Sequence, residues 1–336
     1  MKLSYQQICA ATWGAAELTQ EPDGTHFHRF SKEEQALYMH RREFDDLRIR
    51  ATAGVAICFR TNSPVLTLKG SFQEAHSRIY CSVDVTVNGT YLDCANNFSH
   101  LNLVPPYTED VPGLDRTFEK TFQLGDGEKT VKVHLPWSAH GVLEQAALAE
   151  GSTFEPVCPT KRILFYGDSI TQGYDALRPV NRYAARVAAA LEAEEINKAV
   201  GGEQFFPELV ELKIPVEPDV IVVAYGTNNW GLGQREDLLK NAPAVYHTLR
   251  QNYPRAKLYA LMPLWRRERD EVRAYGSFDQ MRQDLREIAD RVEGMTVIDC
   301  YDFVPHDPAY YADLRLHPTD EGFEHYAENL LKIIKA

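Results

Sequence analysis

The segment Tyr166-Gly167-Asp168-Ser169-Ile170-Thr171-Gln172-Gly173 continues directly from a short apolar run, Ile163-Leu164-Phe165-Tyr166. A serine at the point where a strand turns into a helix presents its hydroxyl beyond the sheet and keeps its own N–H free, which suits a nucleophile that generates an oxyanion. An isolated Gly-Asp-Ser is more commonly a helix cap. Three further segments carry complementary chemistry. Asn197-Lys198-Ala199-Val200-Gly201-Gly202 ends the next strand, and paired glycines there let backbone approach a ligand. Tyr225-Gly226-Thr227-Asn228-Asn229-Trp230 puts an amide side chain at the same end of a third strand. Asp313-Leu314-Arg315-Leu316-His317-Pro318 sets a histidine just before a helix with Phe323, Leu330 and Ile334 on one face, a position suited to a general base.

The elements that must position these residues are legible in the hydrophobic pattern. From Lys161 onward, short apolar runs (Ile163–Tyr166, Val220–Val223, Leu258–Met262, Met295–Ile298) alternate with helical patterns. Tyr183, Val187 and Leu191 share one helix face, and Phe278, Met281, Leu285, Ile288 and Val292 share another. This order predicts a mostly parallel sheet with helices on both faces, its ligands at the carboxyl ends of the strands. Before residue 150 the apolar residues alternate instead. Val83, Val85 and Val87 lead into Asn88-Gly89, a tight-hairpin signal, and Val131, Val133 and Leu135 repeat the pattern. The expected architecture is therefore an N-terminal all-β sandwich, jelly-roll-like, over 1–155, followed by an α/β domain over 156–336, with the boundary in the Pro- and Gly-containing stretch 151–159.

Composition narrows the function further. The 336 residues carry 36 Lys+Arg against 48 Asp+Glu, a formal charge of -12, which offers no electrostatic footprint for nucleic acid. No window approaches the ~18 apolar residues of a membrane span, so neither nucleic acid nor a membrane is an expected partner. The N-terminus reads as mature sequence, and six cysteines without a CxxC pair fit a reducing, cytoplasmic setting.

Taken in order, the four segments resemble the blocks of the SGNH hydrolase superfamily, the GDSL-type esterases and lipases. The resemblance covers about the last half of the chain. It implies Ser169 as nucleophile, His317 as general base, and the Ser169 N–H, Gly202 N–H and Asn228 side chain as oxyanion donors. It also implies ester hydrolysis through an acyl-enzyme with no metal or organic cofactor. The first half is similar to the β-sandwich preceding the catalytic domain in family 2 carbohydrate esterases. That similarity implies a small-molecule or oligosaccharide ester, an acetylated sugar first, as substrate. Two departures stand out. Asn229 occupies the position where the family usually has Asp, with little expected consequence for chemistry. Leu314 stands where the family places the acid, three residues before the histidine, so either a bulge brings Asp313 to the imidazole or a Ser–His dyad works with a backbone carbonyl.

Other polar features read as structural. His26 and His28 lack a third ligand at metal spacing and are expected on the surface, and Arg41-Arg42 and Arg266-Arg267 read as solvated pairs. His306 is a rival base without the helix entry that follows His317. Trp230 and Trp265 each follow a strand end and serve either as sugar-stacking platforms or as packing between the domains. Two rival functions remain: a lysophospholipase or thioesterase, which needs a long apolar acyl channel, and a non-catalytic carbohydrate-binding protein on a degenerate hydrolase scaffold.

Overall fold

The computed structural model describes residues 1–107 and 111–334. In its first half, period-two patterning produces two antiparallel sheets. One joins Thr12–Trp13, Ala56–Thr61, Lys129–His134, Ser82–Val87 and Thr90–Asn96, with Glu155–Pro156 added beside Ala56–Thr61. The other joins Glu17–Glu21, Gly24–His28, His140–Leu148, Val65–Gln73 and Thr117–Gln123. Ile57, Phe59, Val83, Val85, Val131 and Val133 of the first share one core with Phe27, Leu66, Leu68, Phe72 and Leu143 of the second. Asn88 and Gly89, at φ 49° and 80°, form the two-residue link between Ser82–Val87 and Thr90–Asn96, as their types predict.

This half is not all-β. Helices Tyr5–Ala11, Lys32–Tyr38 and Asp45–Arg48 interrupt the strands. The first two are entered through capping boxes, Ser4 with Gln7 and Ser31 with Glu34, and the Ser-x-x-Gln and Ser-x-x-Glu spacings are the signal that periodicity alone overlooks.

The second half forms a five-stranded parallel sheet in the order Glu194–Asn197, Arg162–Gly167, Val220–Ala224, Lys257–Met262, Met295–Asp299. Its three central strands are mostly apolar because both faces are covered. Leu164, Tyr166, Ile221 and Val223 pack under helices Arg235–Asn252 and Phe278–Asp290, while Ile163, Phe165, Val220 and Val222 pack under Tyr183–Ala190 and Asp320–Leu331. The strand order reverses at Arg162–Gly167, so the crevice at the carboxyl end of that strand lies at the topological switch point.

The two halves do not pack as separate bodies. Phe30, Tyr38 and Ile49 belong to the core beneath the parallel sheet. Fully buried Arg29 donates to the carbonyls of Asn197 and Ala199 at 2.8 and 3.0 Å, and Lys198 meets Glu34 at 2.6 Å with both side chains buried. Asp84, on the strand Ser82–Val87, accepts from Ser82 Oγ at 2.6 Å and from the Val180 N–H across the interface at 3.3 Å.

Burial raises the Asp84 carboxyl to about 7. The folded protein thus retains a proton that the unfolded chain releases in the ordinary carboxylate range, and stability falls as pH rises through that interval. Asp84→Asn can keep an oxygen toward Val180 and turn its amide toward Ser82. It should raise Tm at about pH 8, with the gain shrinking toward about pH 5, as read by thermal melts of both proteins across that range.

Candidate active site

The turn after the first parallel strand is shaped by what glycine makes room for. A Cβ on Gly167 would lie 2.3 Å from Thr171 Oγ1, and one on Gly173, at φ 112°, would lie 1.9 Å from Arg182 Cδ. Arg182 is itself locked by two hydrogen bonds to buried Glu195, at 2.7 and 2.9 Å. Between these glycines the helix Ser169–Gln172 is a single turn, capped by Asp168, whose Oδ1 accepts from the Ile170 N–H at 3.0 Å. Burial lifts the Asp168 carboxyl to about 7. Ser169 emerges 5% exposed.

The Ser169 hydroxyl lies 2.8 Å from His317 Nε2, and His317 Nδ1 lies 2.9 Å from Asp313 Oδ2. The extra residue before the histidine is absorbed in a bulge. Leu314 takes a left-handed conformation at φ 58°, and Asp313 Oδ1 accepts the N–H groups of Arg315, Leu316 and His317 at 2.9, 2.7 and 3.1 Å. Burial on its own would raise the Asp313 carboxyl. The hydrogen bond and charge of His317, together with the backbone donors, outweigh it and hold the group far below the usual carboxylate range. Since an ionised Asp313 can only accept, Nδ1 carries the proton and Nε2 is left bare toward Ser169.

The N–H groups of Ser169 and Gly202 have no protein acceptor among the described residues. Asn228 Nδ2 donates one hydrogen to the Glu203 carbonyl at 3.1 Å, which fixes the amide and leaves its second hydrogen free. Gly202 has φ 80°, and the loop before it is tied down by the Gly201 N–H, which donates to Gln172 Oε1 at 2.8 Å. Gly201 serves a different purpose from the close ligand approach its type suggests: a Cβ there would lie 2.2 Å from Tyr174 Oη. Asn229, beside Asn228, is buried, and neither atom of its amide has a protein hydrogen-bond partner among the described residues.

The first half supplies residues that sequence reading missed. Arg78 binds Asp175 through both carboxylate oxygens, and Asp175 Oδ2 lies 3.5 Å from His317 Nδ1. Tyr107 Oη donates to the Asp175 carbonyl at 3.0 Å, and Trp137 Nε1 to the Ala176 carbonyl at 2.7 Å. Tyr174 packs between Trp137 and His317, with ring centroids 5.2 and 5.6 Å away. No local motif announces these pairings, because each partner lies far away in sequence. Arg41 and Arg42 are not a solvated pair either. Arg41 is bidentate on fully buried Glu203, and Arg42 binds Asp45 and the Gly202 carbonyl. Arg266 is likewise buried, donating to Thr227 Oγ1 at 3.1 Å and pairing with Glu268.

Both tryptophans are packing residues, and neither is a sugar platform. Trp230 is fully buried, its Nε1 donating to the Gly276 carbonyl at 3.0 Å and its ring covered by Arg273 and Arg266. Trp265 is 8% exposed between His306 and Tyr311, within the second half's own core, so it does not bridge the domains either. His306 is engaged by Trp265, Asp302 and Tyr301. His26 is buried, contrary to its expected surface place, and is hydrogen-bonded to His140 and Asp23 at 2.9 and 2.8 Å. Among the described residues, two groups bring a histidine nitrogen near two carboxylates: Glu21, Asp23 and His26, and Asp175, Asp313 and His317. In the second, a cation would take the Nδ1 position that Asp313 occupies, and the Asp175 charge is already met by Arg78.

A doubly wound sheet with a serine, a histidine and a carboxylate hydrogen-bonded in a row at its switch point defines a hydrolase of the serine-nucleophile class. Residues 165–325 match the model of the GDSL-like Lipase/Acylhydrolase family. No curated protein matches the chain. Among solved structures, the chain is similar to the salicylyl-acyltransferase SsfX3 from a tetracycline biosynthetic pathway, at 20% identity, TM-score 0.78, and coverage of 96% of this chain and 95% of that one. It is similar to a putative GDSL-like lipase from Bacteroides ovatus at 19% identity, TM-score 0.75, covering 98% and 95%. It is also similar to a family two carbohydrate esterase from Clostridium thermocellum at 14% identity, TM-score 0.64, covering 95% and 96%. At these identities the likeness is one of fold, and it extends over both halves of the chain.

The two carboxylates facing His317 should separate on substitution. Asp313→Asn removes the acceptor that sets the tautomer and should lower kcat by more than about tenfold, or ~1.4 kcal/mol of barrier. Asp175→Asn, more distant and already neutralised by Arg78, should cost less. Steady-state kinetics of both variants on p-nitrophenyl acetate give the comparison, and equal losses would count against a distinct role for Asp313.

Proposed function

We propose that the protein is a serine esterase that removes short acyl groups, acetyl foremost, from sugars or short oligosaccharides through an acyl-enzyme. The observation that carries the proposal is the row Ser169 Oγ, His317 Nε2 and Nδ1, Asp313 Oδ2, at 2.8 and 2.9 Å, set beside donors without a protein acceptor. His317 takes the Ser169 proton as Oγ attacks the ester carbonyl. The Ser169 and Gly202 N–H groups and the free hydrogen of the Asn228 amide meet the developing oxyanion. His317 then gives its proton to the departing alcohol, and water repeats the sequence to release the acid. Asp313 keeps the imidazole in the required tautomer throughout.

The sugar assignment draws its support from the fold shared with family 2 carbohydrate esterases across both halves, and the jelly-roll-like reading of the first half belongs to the same proposal. Buried Trp230 and Trp265 lend it nothing. Against the lysophospholipase or thioesterase alternative, the walls of the cleft beside the site include Arg48, His76 and Arg78, a poor surround for a long alkyl chain. The fully assembled row argues against a binding-only scaffold. The likeness to a salicylyl-acyltransferase favours one further reading, in which an acceptor hydroxyl takes the place of water in the second step.

Ser169→Ala and His317→Ala should each abolish turnover with Tm retained, and a fluorophosphonate probe should label Ser169, as read by mass spectrometry of the labelled peptide. Wild-type activity in Ser169→Ala would sink the mechanism. Acetate release from acetylated xylo- or manno-oligosaccharides should exceed hydrolysis of p-nitrophenyl palmitate. Release of palmitate at the higher rate would overturn the sugar assignment, and ester formation with an added alcohol in preference to hydrolysis would make the enzyme a transferase.

A further inference from the structure

Beside the site, a cleft of about 260 Å³ is walled by Arg48, by the segment Glu74–Ile79, and by Arg116 and Tyr174. That volume lies just below the range of pockets that enclose drug-sized ligands, a scale suited to one small substrate unit. Its charge is at odds with the chain as a whole. Three guanidiniums and His76 face one carboxylate, Glu74, in a protein of net charge -12. Arg78 is matched by Asp175, but the other two are not matched in this way. The acid nearest to Arg48 is Asp45, at 4.0 Å, and Asp45 is already shared with Arg41 at 3.5 Å and Arg42 at 2.9 Å. The Arg48 Nε is buried and has no hydrogen-bond partner, and Arg116 forms no ion pair among the described residues. Guanidiniums only partly compensated by carboxylates in a partly enclosed cleft favour an oxyanion, which they bind through paired N–H groups.

The cleft shares its walls with the reacting groups. Arg48 Nη1 lies 3.6 Å from where a Cβ on the oxyanion donor Gly202 would sit, and Tyr174 packs on the ring of His317. The wall carrying Arg48 is held in place by a costly contact. Phe44 and His76 both adopt left-handed backbone conformations, at φ 65° and 43°, and their rings meet 3.6 Å apart, joining the Arg48 segment to the segment of Ser77 and Arg78. Non-glycine residues held in that region mark places where the fold spends stability on a specific shape.

We propose that this cleft is an anion subsite, and that the esters taken by the enzyme carry a carboxylate or phosphate on the sugar. The inference rests on the esterase reading and narrows it from acetylated sugars to acetylated sugar acids or sugar phosphates. The anion belongs to the alcohol side, because the Tyr174 wall lies against the imidazole that protonates the departing oxygen.

The test compares kcat/KM for acetylated methyl glucuronide, acetylated glucose phosphate and acetylated methyl glucoside. One or both anionic esters should be preferred by about ten- to a hundredfold, the scale of a charge-assisted hydrogen bond. The preference should shrink as ionic strength rises. Which anion wins tells carboxylate from phosphate. Arg48→Met should bring the ratio toward one, and Arg116→Gln, at an exposed position that leaves packing untouched, should lower it part of the way. Calorimetric binding of glucuronate, glucose phosphate and glucose to Ser169→Ala gives a reading independent of turnover. Anion binding that is lost in the Arg48→Met form, without hydrolysis of any ester by the wild type, would keep the subsite and overturn the esterase reading. Equal kcat/KM for all three esters, with no anion binding, would overturn the subsite and leave the esterase reading standing.

Discussion

A proton can pass from Ser169 to a His317 ring oriented by Asp313 only if two residues 148 positions apart are held 2.8 Å from one another, and much of the molecule serves that constraint. The sheet edge fixes Ser169, through a turn in which glycines at both ends leave no slack. The bulge at Leu314 fixes Asp313 against three backbone donors. Asp320, at the start of the helix that follows His317, ties that end of the chain to the loop after the nucleophile by accepting from the Leu177 N–H at 2.9 Å and the Asn181 side chain at 2.7 Å. The two loops bearing the reacting atoms are thus fastened to each other as well as to the sheet.

Electrostatically, the site is built by both halves of the chain. His317 faces two carboxylates, and two negative charges near one Nδ1–H would compete for it. Arg78, from the antiparallel half, binds one of them and compensates its charge, so Asp313 is the closer and less compensated of the two carboxylates facing the imidazole. Arg41 and Arg42 play the same part around buried Glu203, whose backbone carbonyl holds Asn228 in place. Buried pairs of this kind contribute little net stability, and their value here is positional.

Most of the second half was legible in the sequence because its elements are long and strongly patterned. Continuous apolar runs gave the strands, three-and-four spacings gave the helices at Tyr183 and Phe278, and the blocks around Ser169, Gly202, Asn228 and His317 gave the candidate residues. What was not legible depends on contacts between distant segments. The helix Asp45–Arg48 is too short to show a period, and the roles of Arg41, Arg42, Arg78 and Asp175 exist only once the halves meet. Trp230 follows a strand end, as a platform would, but the arginines stacked on its ring decide its burial, and nothing in its local sequence reveals them. Asp313 was the intermediate case, since the spacing allowed a bulge but only the φ of Leu314 settles that one forms.

The stretch from Phe30 to Ile49 has a consequence for how the chain acquires its structure. It is synthesised among the strands of the antiparallel half, yet its apolar side chains pack beneath a sheet whose last strand, Met295–Asp299, is made some 250 residues later. Phe30 and Tyr38 cannot take their places until Lys198 and Phe206, each about 170 residues downstream of its partner, have been made, and closing a loop of that length slows assembly through entropy more than it weakens the product. The antiparallel half can collapse during synthesis, but the parallel-sheet half must recruit a segment that has been waiting exposed. Such an intermediate presents sticky surface to its neighbours and is a natural client for chaperones.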